Sequence, residues 1–237
     1  MLNPAILTAL ILTPGFQSKE IGDYLPANLK DIEFDSILGK RNVREAAKVN
    51  KDFNRQLDAA NGKLQAKEPF KLRATGKVDD TTFVLVINGA MKASKISSLG
   101  LNLKSDTTAN PGQRTTLLDF GILTSSIADK FYRSKFVRFD RESGNPVFDL
   151  TFPKELDYTV RMRVWIDKTK KYVIRREWYG MEGEYRASFI ASNPVEVNGV
   201  TVPTRLSIFN AENQLAGEVL YKNVQINKGL ADELFKI

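Results

Sequence analysis

From Phe136 to its end the chain is a succession of short segments in which apolar and polar residues alternate, separated by turn sequences. Phe148, Leu150 and Phe152 fall on one face of one segment. Tyr185, Ala187, Phe189 and Ala191 alternate with Glu184, Arg186 and Ser188 in another. A period of two belongs to a strand with one buried face. Asp140-Arg-Glu-Ser-Gly144 reads as a turn, and Asn198-Gly199, between Val195–Val197 and Val200–Val202, is the strongest short hairpin signal a sequence can carry. Two more strands follow through 205–209 and 217–226. Asn227 to Phe235 reads as a closing helical turn that docks Leu230 and Phe235. Such a run of strands constrains the chain to a mostly antiparallel sheet, of about ten strands in all.

The first half is more mixed. Asn28 to Lys63 is charged and helix-friendly, and Arg41–Leu64 carries Val43, Ala46, Ala47, Phe53 and Leu57 at a loose helical period, with Gly62 as the stop. Strand spacing then returns, with Phe70, Leu72 and Ala74 alternating with Lys71, Arg73 and Thr75. The run Thr82-Phe-Val-Leu-Val-Ile87 is apolar on both faces. It fits a strand sandwiched between core and other protein, or a strand between the core and an apolar ligand cavity. Gly121 to Tyr132, with Ile122, Leu123, Ile127 and Phe131, predicts a short inserted helix. The first eighteen residues hold an apolar run from Ala5 to Thr13, too short to span a bilayer. It fits a signal or export segment, or a buried N-terminal element. Residues 19–237 read as a single domain.

Residues 161–180 gather seven Lys/Arg and both tryptophans. Split by parity, Arg161, Arg163 and Trp165 share one face and Met162, Val164 and Ile166 the other, with Asp167-Lys-Thr-Lys170 as the turn. An odd loop would pair Ile166 with Tyr172 and Val164 with Ile174, and set Arg163 against Arg175. The segment then becomes a hairpin with one wet, basic face rather than a nucleic-acid surface, which would need aromatics exposed beside the charges to stack bases.

The chain of 237 residues has 27% charged residues and a net charge of +7, which favours anionic contacts without choosing among them. It contains neither histidine nor cysteine. Imidazole bases, thiolate nucleophiles, disulfides and the common zinc and iron–sulfur sites are therefore excluded. Asp119-Phe-Gly121 spells a kinase tripeptide, but the accompanying histidine motif cannot exist here. The paired acids Asp79-Asp80 and Glu182/Glu184 sit in turns. No enzyme, cofactor or metal is expected.

The order Val164-Trp-Ile-Asp167, Arg175-Arg-Glu177, Gly183, Asn198-Gly-Val-Thr-Val-Pro203 and Asn227-x-Gly-Leu-x-Asp-x-x-Phe235 resembles the LolA-like family of periplasmic lipoprotein carriers and outer-membrane lipoprotein-sorting proteins. The resemblance covers roughly residues 130–237. It implies an incomplete, strongly curved antiparallel β-barrel, mainly β, with an N-terminal helix and a short inserted helix as lid over an apolar cavity. It implies a monomeric, soluble envelope carrier of lipid or lipoprotein acyl chains that transiently contacts membrane-bound donor or acceptor proteins and binds no nucleic acid. The anchored relatives need an N-terminal cysteine for lipidation, which this chain lacks. A lid-locking arginine belongs to the pattern, and Arg73 is the candidate. Cavity-lining candidates are Leu72, Val84 and Val86 from the early strands; Phe136, Phe148, Leu150 and Phe152 from the middle; and Met162, Val164, Ile174, Trp178 and Phe189 from the strands after. The alternative on the same fold is a regulatory or structural module that grips a protein partner through the basic hairpin face.

Overall fold

The computed structural model describes residues 17–58, 60–78, 81–96 and 99–237; the apolar run read as an export segment lies outside them. Two meanders make up the sheet. The first contains β1 (Asp31–Arg41), β2 (Gly62–Lys67), β3 (Lys71–Val78), β4 (Thr81–Asn88), β5 (Met91–Ile96) and β6 (Leu101–Asp106). The second contains β7 (Arg133–Phe139), β8 (Pro146–Thr151), β9 (Arg161–Ile166), β10 (Val173–Tyr179), β11 (Tyr185–Val197), β12 (Val200–Asn210) and β13 (Leu215–Ile226). The first described strand pairs with the last, Ile32 opposite Ile226, so the meanders join into one antiparallel sheet of thirteen strands. Its order runs from β6 through β1 and β13 to β7, and the sheet curves without closing.

Strand β1 occupies a stretch whose charge pointed toward helix. Its parity is that of a strand: Ile32, Phe34 and Ser36 are buried while Glu33 and Asp35 alternate between them. The helical period read over 41–64 survives as two short helices, α1 (Val43–Val49) and α2 (Phe53–Asp58). Asn42 caps α1 by accepting from the Glu45 N–H at 3.2 Å. Asn50 is extended, and its side chain accepts from the Asp52 N–H at 2.8 Å, which ends one helix before the next begins. The helices bury Ala46, Val49, Phe53 and Leu57 in the main core.

The hairpin at Asn198-Gly199 forms as expected, with both residues at positive φ and Val197 opposite Val200. Its strands are longer than the sequence suggested, because Pro194 and Pro203 face each other within one continuous ladder. The closing turn also forms, at Asp232–Phe235, and Phe235 is fully buried.

Candidate functional site

The inner face of the curved sheet is apolar across most of its width. Leu72 and Ile87, Phe34 and Leu64, Phe148 and Val164, and Leu150 and Met162 are opposed pairs on it. Residues 107–132, which link the two edge strands β6 and β7, cross this face as a strap. The strap is not the single helix expected over 121–132. It has a 3-10 turn at Leu117–Phe120 and a short π-helical turn at Ile127–Phe131, separated by extended residues. Leu117, Leu118, Ile122, Leu123, Ile127, Ala128 and Phe131 are all buried in the same core as the sheet's inner face. The concave surface is therefore already covered by the chain's own apolar side chains. Between strap and β3–β4 there remains a void of about 20 Å³ beside Leu72, Ile87, Thr116 and Ile127, room for roughly one water molecule.

The strap is held by polar contacts at a few points. One of them involves a buried arginine, Arg176. A bulge in β10 at Ile174 shifts the hairpin register, so Val173 opposes Ile166, Arg175 opposes Trp165 and Arg176 opposes Val164. The expected pairings of Ile166 with Tyr172 and of Val164 with Ile174 do not form. Arg163 opposes Glu177 rather than Arg175. Val173 faces inward ahead of the bulge, and the extra residue reverses parity after it, so Arg176 rather than Arg175 enters the core, at 4% exposure. A guanidinium taken out of water costs several kcal/mol unless it is paired. Here it lies 3.9 Å from the centre of the Phe189 ring and donates from Nη1 to Asp119 Oδ1 at 3.1 Å; its Nε has no partner among the described residues. The other oxygen of Asp119 accepts from the Thr116 N–H at 2.9 Å. Phe120 packs edge-on against Phe34, and Gly121 ends the turn at φ +79°, where a side chain would be strained. Tyr132 and Tyr221 lie close to this pair, and burial pushes both hydroxyls up.

The other contacts tie the strap to the first meander. Thr124 donates to Glu68 Oε1 at 2.9 Å, and Ser126 donates to the second oxygen of the same carboxylate. Within the strap, Arg114 stacks 4.8 Å from the Phe131 ring and donates to Thr107 Oγ1 at 3.1 Å. Burial pushes its guanidinium down from the ordinary value. Lys92 donates to the Gln113 carbonyl at 3.2 Å.

Most of the cavity candidates from the sequence meet on this inner face. Leu72, Phe148, Leu150, Phe152, Val164 and Phe189 belong to the core beneath the strap, with Phe136, Met162 and Trp178 packed against it. Three do not. Val84 and Val86 point to the convex side, where they pack with Ala93 and Phe235 in a separate cluster. The two-faced run at 82–87 is thus a strand between core and protein, and the closing turn supplies its second cover. Ile174 sits in the bulge, half-buried and outside both clusters. Arg73 is also convex: it donates to the Leu234 carbonyl at 3.3 Å and does not reach the strap.

The basic face of the β9–β10 hairpin is convex and largely self-neutralised. Arg163 makes two bonds to Asp149, at 2.7 and 3.0 Å, and Arg161 a third at 3.0 Å. Arg175 pairs with Glu177 at 2.6 Å and stacks on Trp165. Desolvation pushes the Asp149 carboxyl up, but the arginine hydrogen bonds and charges outweigh it and hold the group below its usual range.

An unclosed, curved antiparallel sheet whose concave apolar face is crossed by a helical strap is the LolA-like fold. A crystal structure described as an outer membrane lipoprotein-sorting protein domain from Vibrio parahaemolyticus superposes with a TM-score of 0.61 at 16% identity, covering 92% of this chain and 93% of that one. A LolA superfamily protein from Nitrosomonas europaea gives 0.57 at 13%, covering 92% and 94%. A DUF1329 family protein from Desulfovibrio piger gives 0.57 at 10%, covering 89% and 91%. No family model and no curated protein sequence matches the chain. At these identities the likeness is one of fold.

Proposed function

We propose that this protein is an exported, non-enzymatic carrier that shelters acyl chains of lipids or lipoproteins between the concave sheet and the strap. The carrying observation is the division of labour within the strap: most of its buried side chains are apolar, with Thr107, Thr116 and Thr124 the buried polar ones, whereas its polar attachments to the sheet are few, chiefly Arg176–Asp119 and Glu68 with Thr124 and Ser126. Lifting the strap would uncover a continuous apolar face. An acyl chain offered to that face replaces the strap's own side chains, so the opened state need not expose apolar surface to water. Without shelter, each acyl CH₂ moved from a membrane into water costs about 0.8 kcal/mol, or about 12 kcal/mol for a chain of roughly fifteen carbons. Such a task needs no histidine, thiolate or cofactor.

The test is uptake of a fluorescent fatty acid and of a triacylated peptide by the purified protein. The wild-type chain is expected to bind both. Arg176→Leu is expected to take them up several-fold faster, because the strap loses its one ion pair with the second meander among the described residues. Absence of uptake by both proteins, each folded by circular dichroism, would discard the reading. The module reading, in which the basic hairpin face grips a protein, draws no support from that face, where Asp149 and Glu177 already occupy the arginines.

A further inference from the structure

Strand β6 lies at one edge of the sheet, and the strand and the turn before it carry three leucines into solvent. Leu99, in the turn before it, is 65% exposed, Leu101 is 43% and Leu103 is 63%. Leu101 opposes Ile96, and Leu103 opposes Ser94. This sheet face continues into Phe83 and Leu85, which stay half-buried beyond the part the strap covers. Monomeric proteins rarely leave a row of large apolar side chains exposed along an edge strand unless something docks there.

The charges around the row say what docks. From Thr81 to Ser105 the sequence holds Lys92, Lys95 and Lys104 and not one Asp or Glu; Asp106 ends β6 opposite Met91, with one oxygen taken up by the Thr108 N–H and hydroxyl, and the nearby acids Asp79 and Asp80 lie outside the described residues. Lys95 opposes Val84, and Lys104 opposes Ala93, so both leave the edge on the convex side. Neither forms an ion pair with a described residue. An edge with leucines on one side and unpaired lysines on the other suits a surface that is anionic outside and apolar beneath.

We propose that this edge docks on a bilayer containing anionic phospholipid. The sheet meets the membrane edge-on, with Leu99, Leu101 and Leu103 reaching past the headgroups and Lys95 and Lys104 at the phosphates. The unpaired backbone groups of β6 stay at headgroup depth, where water satisfies them. The idea goes beyond the carrier reading, because it concerns the edge of this face that the strap does not cover.

Co-sedimentation of the full chain with vesicles tests it, using phosphatidylcholine alone and phosphatidylcholine with 30% phosphatidylglycerol. The wild-type chain is expected to bind the anionic vesicles at least tenfold better, with binding weakened in high salt. L99S/L103S should lose at least tenfold on anionic vesicles while still taking up fluorescent fatty acid at the wild-type level. K95E/K104E should bind both vesicle types equally weakly. Unchanged binding in both variants, as if residues 5–13 carried it, overturns the proposal. So does a wild-type dimer in sedimentation velocity that L99S/L103S converts to monomer without change in vesicle binding, since the leucines would then serve a second copy of the chain.

Discussion

Arg176 and its neighbour Arg175 are adjacent in sequence and opposite in fate. Arg175 lies on Trp165 at the surface, and Arg176 is buried against Phe189 and bonded to Asp119. Removing one partner of a buried pair strands the other charge, at a cost of about 3–5 kcal/mol. Asp119 is 42% exposed, so water can partly replace it, and Asp119→Ala is expected to lose about 2–3 kcal/mol. The double variant Arg176→Met/Asp119→Leu should recover at least half of that loss. Urea midpoints of the three proteins measure this, and an Asp119→Ala chain as stable as wild type would mean the pair is not a tether. Asp232 gives a second residue-level prediction. Hydrogen bonds from Lys67 and Lys71 pull its carboxyl down to about 2, below the ordinary value of about 3.9. A depressed carboxyl contributes stability that is full above its unfolded pKa and is lost as pH falls through the folded one. The ion pairs holding the closing turn should therefore persist at pH 4 and fail as pH approaches 2. A carboxyl titration by NMR shows this, and Lys67→Met/Lys71→Met should return Asp232 toward its ordinary value.

The closing turn is the clearest case of an element with a separable role. Phe235 is fully buried against Val86 and Ala93 and is the plug of the convex cluster. Phe235→Ala is expected to cost about 3–5 kcal/mol and to speed amide exchange in β4 more than in β12. Equal exchange in the two strands would contradict the separate cluster. Gly62 sets the start of β2: a Cβ there would stand 1.9 Å from the Thr75 carbonyl oxygen. Gly62→Ala should therefore break the β2–β3 pairing and leave the chain aggregation-prone on expression. At this scale much was readable beforehand. The Asn198-Gly199 hairpin, the closing turn and the alternation of β8 and β11 follow from local turn chemistry and a period of two. Strand β1 was not readable, because Glu33, Asp35 and Lys40 weigh toward helix unless the partners β2 and β13 are known. The bulge at Ile174 left no mark either, since Val173, Ile174 and the two arginines fit either register equally well. The unbulged register also sets Arg176 on the apolar face, opposite Met162, so its direction is legible; its burial beneath the strap and its partner Asp119 are not. Asp119 was noticed, but within a tripeptide whose only familiar meaning was excluded.

At the scale of the whole molecule, the strap lies on the sheet without joining its hydrogen-bonded ladder, held by apolar packing and a few polar contacts. Regions of that kind open first. Hydrogen exchange followed by mass spectrometry is expected to show the strap, residues 117–131, exchanging at least tenfold faster than β12 and β13, with Arg176→Leu widening the gap. Equal protection across strap and sheet would make the strap a fixed part of the core and remove the route by which a ligand reaches the concave face. What the sequence determined by itself is what short-range periodicity and turn residues can encode: an antiparallel sheet, its best hairpin, its closing turn, and the apolar face of most strands. Tertiary structure decided which apolar face meets the strap and which meets the closing turn. The second cover of β4 comes from a segment 147 residues away, as the bond from Asn88 to the Phe235 carbonyl records. It also decided that Arg176 is covered by the strap and paired with Asp119. Parity is local and resets at every bulge, whereas burial is settled by what the rest of the chain lays on top.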